Sequence, residues 1–156
     1  MKLVAQELTI AASAHVVYEL FTDPAAFSEW MAADATLPPI AGGRVRWTHA
    51  NGDTVSGHYL ELVPHRRIVF TYGWERADVE IPPGSTTVTV TLTPVDADTT
   101  HLRLEHDGLH DRAADAHTGG WHHYLTRLHR QAEGHDPGPD TLAGSRVPTP
   151  AEMGGR

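Results

Sequence analysis

The chain of 156 residues contains no cysteine. Disulfide scaffolds, thiolate metal sites and cysteine nucleophiles are therefore excluded. Basic residues are also few, because 12 Lys and Arg stand against 20 Asp and Glu, for a formal net charge of −8 at pH 7. A chain with this balance and no basic stripe is poorly suited to bind nucleic acid or an anionic membrane surface. We expect neither partner.

Long apolar runs are missing as well. No stretch approaches the roughly 20 residues that span a bilayer, and residues 1–10 lack the apolar segment of a secretory signal. These absences, together with the lack of cysteine, favour a protein of the cytoplasm. Gly42-Gly43 is followed by no Lys-Ser or Lys-Thr pair, so it is not a phosphate-binding loop. We expect no cofactor.

Histidine, by contrast, is abundant, with 12 residues in the chain. Six of them lie between His106 and His129. His106 and His110 straddle a predicted turn at Asp107-Gly108, and no His-Glu-x-x-His pattern occurs. Compositional bias is a simpler explanation than ligation, since a metal site needs convergent geometry as well as abundance. We predict no metal site.

The rest of the chain shows enough apolar patterning for one folded domain, with 40% hydrophobic residues. Strict alternation predicts a C-terminal hairpin in which one face is buried. The inward residues of this hairpin are Val88, Val90, Leu92, Leu102, Leu104 and His106. Asn51-Gly52 predicts a second hairpin turn, because both residue types accept positive φ. Earlier strands are expected over 2–10, 35–37, 44–48, 54–63 and 67–74.

Helices are predicted at three places. Ser13 is a suitable N-cap for a first short helix, and Asp23-Pro24 begins a second. A long helix from about Asp111 to Ala132 carries an apolar face at three- and four-residue steps. Gly119-Gly120 interrupts this helix, which suggests close packing against the sheet or a bend near a ligand.

This order of elements predicts an α+β fold of the helix-grip type. A curved antiparallel sheet of about six to seven strands would wrap on the long C-terminal helix, with two short helices after the first strand. Residues 1–133 form the domain. The Gly- and Pro-rich residues 134–156 lack apolar periodicity and are expected to be a mobile tail.

Several motifs in this order also resemble one known superfamily. They are Ala12-Ser13-Ala14-His15-Val16-Val17-Tyr18, Thr22-Asp23-Pro24 with Trp30, Gly42-Gly43, Gly57-His58-Tyr59-Leu60-Glu61 with Pro64, Arg67-Ile68-Val69-Phe70-Thr71-Tyr72 with Trp74, Ser85-Thr86-Thr87-Val88-Thr89-Val90, Leu104-Glu105-His106-Asp107-Gly108-Leu109, and His117 with Gly120-Trp121 and Tyr124-Leu125. Over about residues 3 to 130 the chain resembles the START-like, or SRPBCC, proteins with the Bet v 1-like fold. Within them it is similar to the branch of the activator of heat-shock protein 90 ATPase homologue. The resemblance implies a cavity between sheet and long helix that binds lipids, polyketides or other apolar molecules.

The candidate site follows from the inward positions of strands and helix. The predicted ligand-binding residues are Trp30, Phe70, Tyr72, Trp74, Val90, Leu104, His106, His117, Trp121 and Tyr124. Aromatic walls with a few polar tips suit a small hydrophobic molecule, aromatic or lipid-like.

Two other functions stay open. An enzyme of the polyketide cyclase or dehydratase type would use His106 or His117 to move protons. A protein-interaction module, co-chaperone-like or for self-resistance, would instead show a large exposed apolar patch. No catalytic residue can be assigned from the sequence. A sheet edge and the tail both offer contacts for a homodimer.

Overall fold

The computed structural model describes residues 2–31 and 33–140 of the chain. Its strands are β1 (Lys2–Ile10), β2 (Ala33–Thr36), β3 (Arg44–His49), β4 (Thr54–Val63), β5 (Arg67–Tyr72), β6 (Thr86–Asp96) and β7 (Thr99–Leu109). Its helices are α1 (Ala14–Thr22), α2 (Pro24–Met31) and α3 (Asp111–Ala132), with a short 3-10 turn at Ala77–Val79. The predicted helix-grip fold, with seven strands, is confirmed.

All seven strands join one antiparallel sheet in the order β1-β7-β6-β5-β4-β3-β2. Consecutive strands from β2 to β7 are neighbours, as expected for segments joined by hairpins and short loops. β1 closes the far side by pairing with β7, so the N-terminal strand lies beside the last hairpin. The strand expected over 35–37 is displaced to Ala33–Thr36. This edge strand has no apolar alternation to mark its limits, and its pairing with β3 sets them.

Local signals explain the helix ends. Ser13 caps α1, since its Oγ accepts a hydrogen bond from the Val16 N–H at 3.2 Å. Asp23 joins the two short helices, because its N–H donates to the Glu19 carbonyl while its own carbonyl accepts from Phe27. α3 begins where His110 Nδ1 accepts from the Ala113 N–H at 3.1 Å. The long helix therefore starts directly after β7 and lies back across the sheet.

The core lies between the inner face of the sheet and the three helices. Inward residues of β6 and β7 are fully buried, including Val88, Val90, Leu102 and Leu104. Val90 and Leu104 are direct cross-strand partners. The burial of every second residue follows from strand alternation, because successive side chains point to opposite faces of a strand. Within the described residues, no helix is long and apolar enough to cross a membrane.

Candidate functional site

Five aromatic side chains, each with a polar nitrogen or hydroxyl group, lie close together between the sheet and α3. Tyr72 ends β5, Trp74 follows it, His106 lies on β7, and His117 and Trp121 lie on α3. The ring centroids of Tyr72 and His106 are 4.4 Å apart, and those of His106 and His117 are 5.6 Å apart. We call these five residues the aromatic cluster. The sequence predicted all five as site residues, and the structure brings them together.

Strand phase and helix phase together produce this convergence. His106 is paired across the ladder with Val88, which is paired in turn with Phe70, so all three face inward. His117 and Trp121 are four residues apart and share the face of α3 that covers the sheet. The imidazole of His106 on the sheet therefore contacts the rings of His117 and Trp121 on α3.

His106 is fully buried, and both of its ring nitrogens are hydrogen-bonded. Trp121 Nε1–H donates to His106 Nδ1 at 3.0 Å. The proton must therefore be on Nε2, which donates to Thr86 Oγ1 at 2.8 Å. The Thr86 hydroxyl in turn donates to the Tyr72 carbonyl at 2.8 Å. This chain of donors fixes the tautomer of His106.

Both ring nitrogens of His117 are also hydrogen-bonded, but the proton lies on the other nitrogen. Its Nδ1 lies 2.7 Å from the Ala113 carbonyl oxygen, which can only accept, so Nδ1 carries the proton. Its Nε2 accepts a hydrogen bond from Trp74 Nε1–H at 3.2 Å. Each histidine is thus held by one tryptophan and one further partner.

Both imidazoles are neutral over a wide pH range. Burial lowers the pKa of His106 to about 2, and the nearby His117 lowers it further. Burial also lowers the pKa of His117 to about 4, although the hydrogen bond that its Nδ1–H donates to the Ala113 carbonyl acts in the other direction. Near neutral pH the cluster therefore offers no cation to a ligand.

The other predicted residues lie around the cluster at different distances. Three of them, Val90, Leu104 and Phe70, are buried on the inner face of the sheet beside the cluster. Trp30 lies at the other end of the core, where its Nε1–H donates to the Leu20 carbonyl at 2.7 Å. Tyr124 is only partly buried. Trp30 therefore belongs to a separate aromatic group, and Tyr124 lies where the core meets solvent.

Sequence reasoning missed Thr86, Trp47 and His49. Thr86 is two residues before Val88 on β6, so alternation predicts that it also faces inward. Alternation does not predict that Thr86 links His106 to the Tyr72 carbonyl. Trp47 contacts both Phe27 and Tyr72, and so connects the aromatic group around Trp30 to the cluster. Its Nε1–H donates to His49 Nε2 at 3.1 Å.

A contact between two partly exposed rings lies at the edge of the cluster, between the end of β3 and α3. Its two sides are His49 and Tyr124, both partly exposed, with ring centroids 5.7 Å apart. His49 stacks on Trp74 at 6.0 Å. Trp74 and His117, directly beneath, keep 7% and 8% of their surface exposed, whereas His106 keeps none. We call this contact between His49 and Tyr124 the mouth.

The paired glycines of α3 are not explained by close packing. A Cβ at Gly119 or Gly120 would meet no heavy atom within 4 Å beyond the helix itself. Of the two expectations for these glycines, close packing against the sheet is therefore wrong, and a bend near a ligand stays a prediction. Gly119 is exposed and Gly120 is partly exposed, so both glycines lie at the outer surface of α3.

Replacing either helix glycine by alanine should stabilise the protein. Gly119→Ala and Gly120→Ala are each expected to raise the free energy of unfolding by about 0.5–1 kcal/mol, since alanine loses less backbone entropy in a helix. Urea denaturation followed by circular dichroism measures this change. Gly73→Ala is the contrasting control, because its Cβ would collide with the Pro82 carbonyl oxygen. Destabilisation by Gly119→Ala or Gly120→Ala would mean that the space is not available.

A second concave surface lies elsewhere. An open groove of about 680 Å³ runs between the α1–α2 junction and residues 35–39, lined by Glu19, Thr22, Asp23, Pro24, Ala35, Thr36, Leu37, Pro38 and Pro39. None of the ten predicted site residues lines it. It contains two carboxylates and no aromatic side chain, so it lacks the means to bind an apolar ring. Among residues 2–31 and 33–140, no group of three or more His, Asp or Glu is placed to hold a metal ion.

Comparison with known proteins gives one family match and many similar folds. The family described as Activator of Hsp90 ATPase homolog 1-like protein matches residues 11–133, whereas no curated protein matches the chain. The AHSA1-like protein of Rhizobium etli is 34% identical, over 94% of this chain and 91% of that one, with a TM-score of 0.66.

Two further solved structures are similar at lower identity. A protein of Mesorhizobium loti is 25% identical, over 84% of this chain and 96% of that one, with a TM-score of 0.75. The Aha1 dimer of Colwellia psychrerythraea is 20% identical, over 86% of this chain and 98% of that one, with a TM-score of 0.72. The last similarity is one of fold alone.

Proposed function

The chain belongs to the family of activator of Hsp90 ATPase homolog 1-like proteins, and from that premise we propose that it binds a small, neutral, ring-containing molecule at the aromatic cluster. The ligand passes the mouth between His49 and Tyr124 and lies against Trp74, His117 and Trp121. The observation that carries this proposal is the convergence of five polar-tipped aromatic side chains in one part of the core, where Trp74 and His117 keep 7% and 8% of their surface exposed.

The chemistry of the cluster favours a neutral ligand. His106 and His117 are uncharged near neutral pH because burial lowers the pKa of both. An anionic group would have to lose its hydration without gaining a cationic partner, which is costly. Aromatic walls instead stabilise flat apolar rings by area and by edge-to-face contact. The tryptophan N–H groups are the available donors if a ligand carbonyl or hydroxyl displaces a histidine nitrogen.

The same hydrogen bonds argue against proton transfer as the first role of the histidines. His106 Nδ1 and His117 Nε2 are the two basic nitrogens, and each accepts from a tryptophan. A general base needs a free lone pair within reach of the substrate proton. Either histidine would first have to give up its tryptophan. Binding of an apolar ring by contact alone requires no such rearrangement.

Titration with a neutral fluorescent probe tests the proposal. N-phenyl-1-naphthylamine should bind with a saturable, one-to-one rise in fluorescence in the micromolar range. Tryptophan emission should fall in parallel, because Trp74 and Trp121 lie at the site. Trp74→Ala should weaken the probe's affinity about tenfold or more, as removal of a buried aromatic contact commonly does.

Two controls make this titration specific. Leu60→Ala removes an apolar side chain of β4 that is 55% exposed and therefore lies on the outer face of the sheet. This change should leave the affinity for the probe unchanged. The sulfonated relative 1-anilinonaphthalene-8-sulfonate should bind at least about tenfold more weakly, since its charge has no partner. If Leu60→Ala and Trp74→Ala lowered the affinity for the probe equally, or if the fluorescence did not saturate, the proposed site would be refuted.

The remaining parts of the proposal concern assembly and location. We propose a homodimer as one assembly of this chain, supported by the dimer of the Colwellia protein. Native mass spectrometry reads that state together with any compound that co-purifies. A cytoplasmic location stays a prediction from the sequence.

A further inference from the structure

The chain reverses direction immediately after α3. Gly134 adopts φ +85°, and its N–H donates to the Gln131 carbonyl while His135 N–H donates to the Arg130 carbonyl. This is the usual glycine-based end of a helix, in which a left-handed residue turns the chain back on itself. The following sequence, Asp136-Pro137-Gly138-Pro139-Asp140, then runs antiparallel to α3. We call residues 134–140 the strap.

Side chains of α3 hold the strap turn by turn. Arg130 Nε donates to the Asp136 carbonyl at 2.9 Å. Arg127 donates to the Gly138 carbonyl. Asp140 is held by both carboxylate oxygens, which accept from His123 Nε2 at 2.8 Å and from the Tyr124 hydroxyl at 3.1 Å. The tail expected to be mobile is therefore bound over residues 134–140, and residues 141–156 lie outside the described part of the chain.

The composition of the strap explains why so short a segment docks. Pro137 and Pro139 each fix one backbone angle, so less conformational entropy is lost when the segment becomes ordered. The side chain of Asp140 is only 8% exposed. A carboxylate buried to this degree is stable only because both oxygens have donors.

The end of the strap lies at the mouth. Tyr124, which donates to Asp140, forms one side of the mouth, and His49 forms the other. Burial lowers the pKa of His49, and the nearby Asp140 and Asp53 carboxylates partly oppose that lowering. Beneath His49, Trp74 stacks on its ring and donates to His117. Any molecule that passes between His49 and Tyr124 must therefore pass beside Asp140.

We propose that the strap controls access of ligands to the aromatic cluster, and that Asp140 is its latch. This inference rests on the proposed function. With Asp140 bound to His123 and Tyr124, the Tyr124 ring is held in place and the mouth is narrow. When both hydrogen bonds break, the strap end and Tyr124 are released together and the mouth widens. The cluster itself is unchanged, so the latch governs the rates of binding and release.

Two variants test the latch from opposite sides. Asp140→Ala removes the carboxylate, and His123→Ala removes one of its donors without touching the cluster. Stopped-flow fluorescence with N-phenyl-1-naphthylamine should show association and dissociation rates that both rise at least about fivefold, the factor equivalent to one ordinary hydrogen bond. The equilibrium affinity should change less than about threefold. The double variant should be no faster than Asp140→Ala, because both changes break the same contact.

Asp115→Ala is the matched control. It removes an exposed carboxylate that binds Lys2 at 2.7 Å from the opposite flank of the same helix. Its rates should equal those of the unmodified protein. If Asp140→Ala also leaves both rates unchanged, or weakens affinity through dissociation alone, the latch is refuted.

A measurement without ligand separates this inference from the proposed function. Acrylamide quenching of tryptophan emission should rise in Asp140→Ala and His123→Ala, because Trp74 lies beneath the mouth. Increased quenching without binding of the naphthylamine probe would refute the proposed ligand class and support the latch. Unchanged quenching with normal probe binding would refute the latch and leave the site intact.

Discussion

Lowering the pH from about 7 to about 5 should destabilise this protein by about 4 kcal/mol, roughly 2 kcal/mol for each buried histidine. In the unfolded chain His106 and His117 titrate near 6.5, whereas in the fold the pKa is about 2 for His106 and about 4 for His117. Below pH 6.5 the unfolded state therefore binds protons that the folded state does not. Stability rises with pH through this interval and falls as the medium is acidified.

The histidine contribution is separable from that of the carboxyl groups. The pKa of Glu7 is lowered by its hydrogen bond to His101, and that of Glu75 by its hydrogen bond to Arg46. Stabilisation by such carboxylates is lost only when the pH falls below about 4.5. In the window between pH 6.5 and 5 the largest contributions come from the two buried imidazoles, and His49, whose pKa burial also lowers, acts in the same direction. The His117 contribution stops growing near pH 4.

Urea denaturation at several pH values measures this slope. His117→Gln cannot titrate, so the loss between pH 7 and 5 should fall to about half, whatever the absolute stability of the variant. His58→Gln is the control, because His58 is exposed on β4 and its replacement should leave the slope unchanged. A wild-type stability that does not depend on pH in this window would contradict the neutral, buried state of both histidines.

Arg127→Ala is expected to cost about 3 kcal/mol of stability, or about 10 °C in Tm. Arg127 is only 7% exposed. Its Nε donates to the Trp30 carbonyl at 2.9 Å and a terminal nitrogen donates to the Glu29 carbonyl at 3.0 Å. These carbonyls end α2, where the helix dipole favours a cation. A third donor reaches Gly138 of the strap. One side chain thus joins α2, α3 and the strap.

Two further variants define this role by thermal and urea denaturation. Arg127→Lys keeps the charge but lacks the planar set of donors, so its loss should be intermediate. Arg130→Ala removes an exposed arginine one turn away that donates to the strap and not to α2, and should change stability by no more than about 1 kcal/mol. Equal effects of Arg127→Ala and Arg130→Ala would show that the carbonyls of α2 do not depend on Arg127.

Strongly periodic elements were predictable, and weakly periodic ones were not. The long helix was predicted from Asp111 to Ala132, and α3 has those limits. The strand expected over 67–74 ends at Tyr72, since Gly73 departs from the ladder and Trp74 joins only an isolated bridge to Val55. β2 was displaced because its placement depends on β3. Periodicity records which face is buried, and it does not record where a neighbouring strand stops pairing.

Strand alternation and the helical repeat place His106, His117 and Trp121 towards one interior, because each assigns a side chain to a face before any tertiary contact exists. The pairing of each donor with its nitrogen depends instead on how the sheet and the helix pack. Trp121 and His106 are 15 residues apart, and Trp74 and His117 are 43 apart. Such pairings depend on the curvature of the sheet and on where the helix lies across it. The strap likewise required the folded helix, since its Gly- and Pro-rich sequence becomes ordered only against donors that α3 aligns.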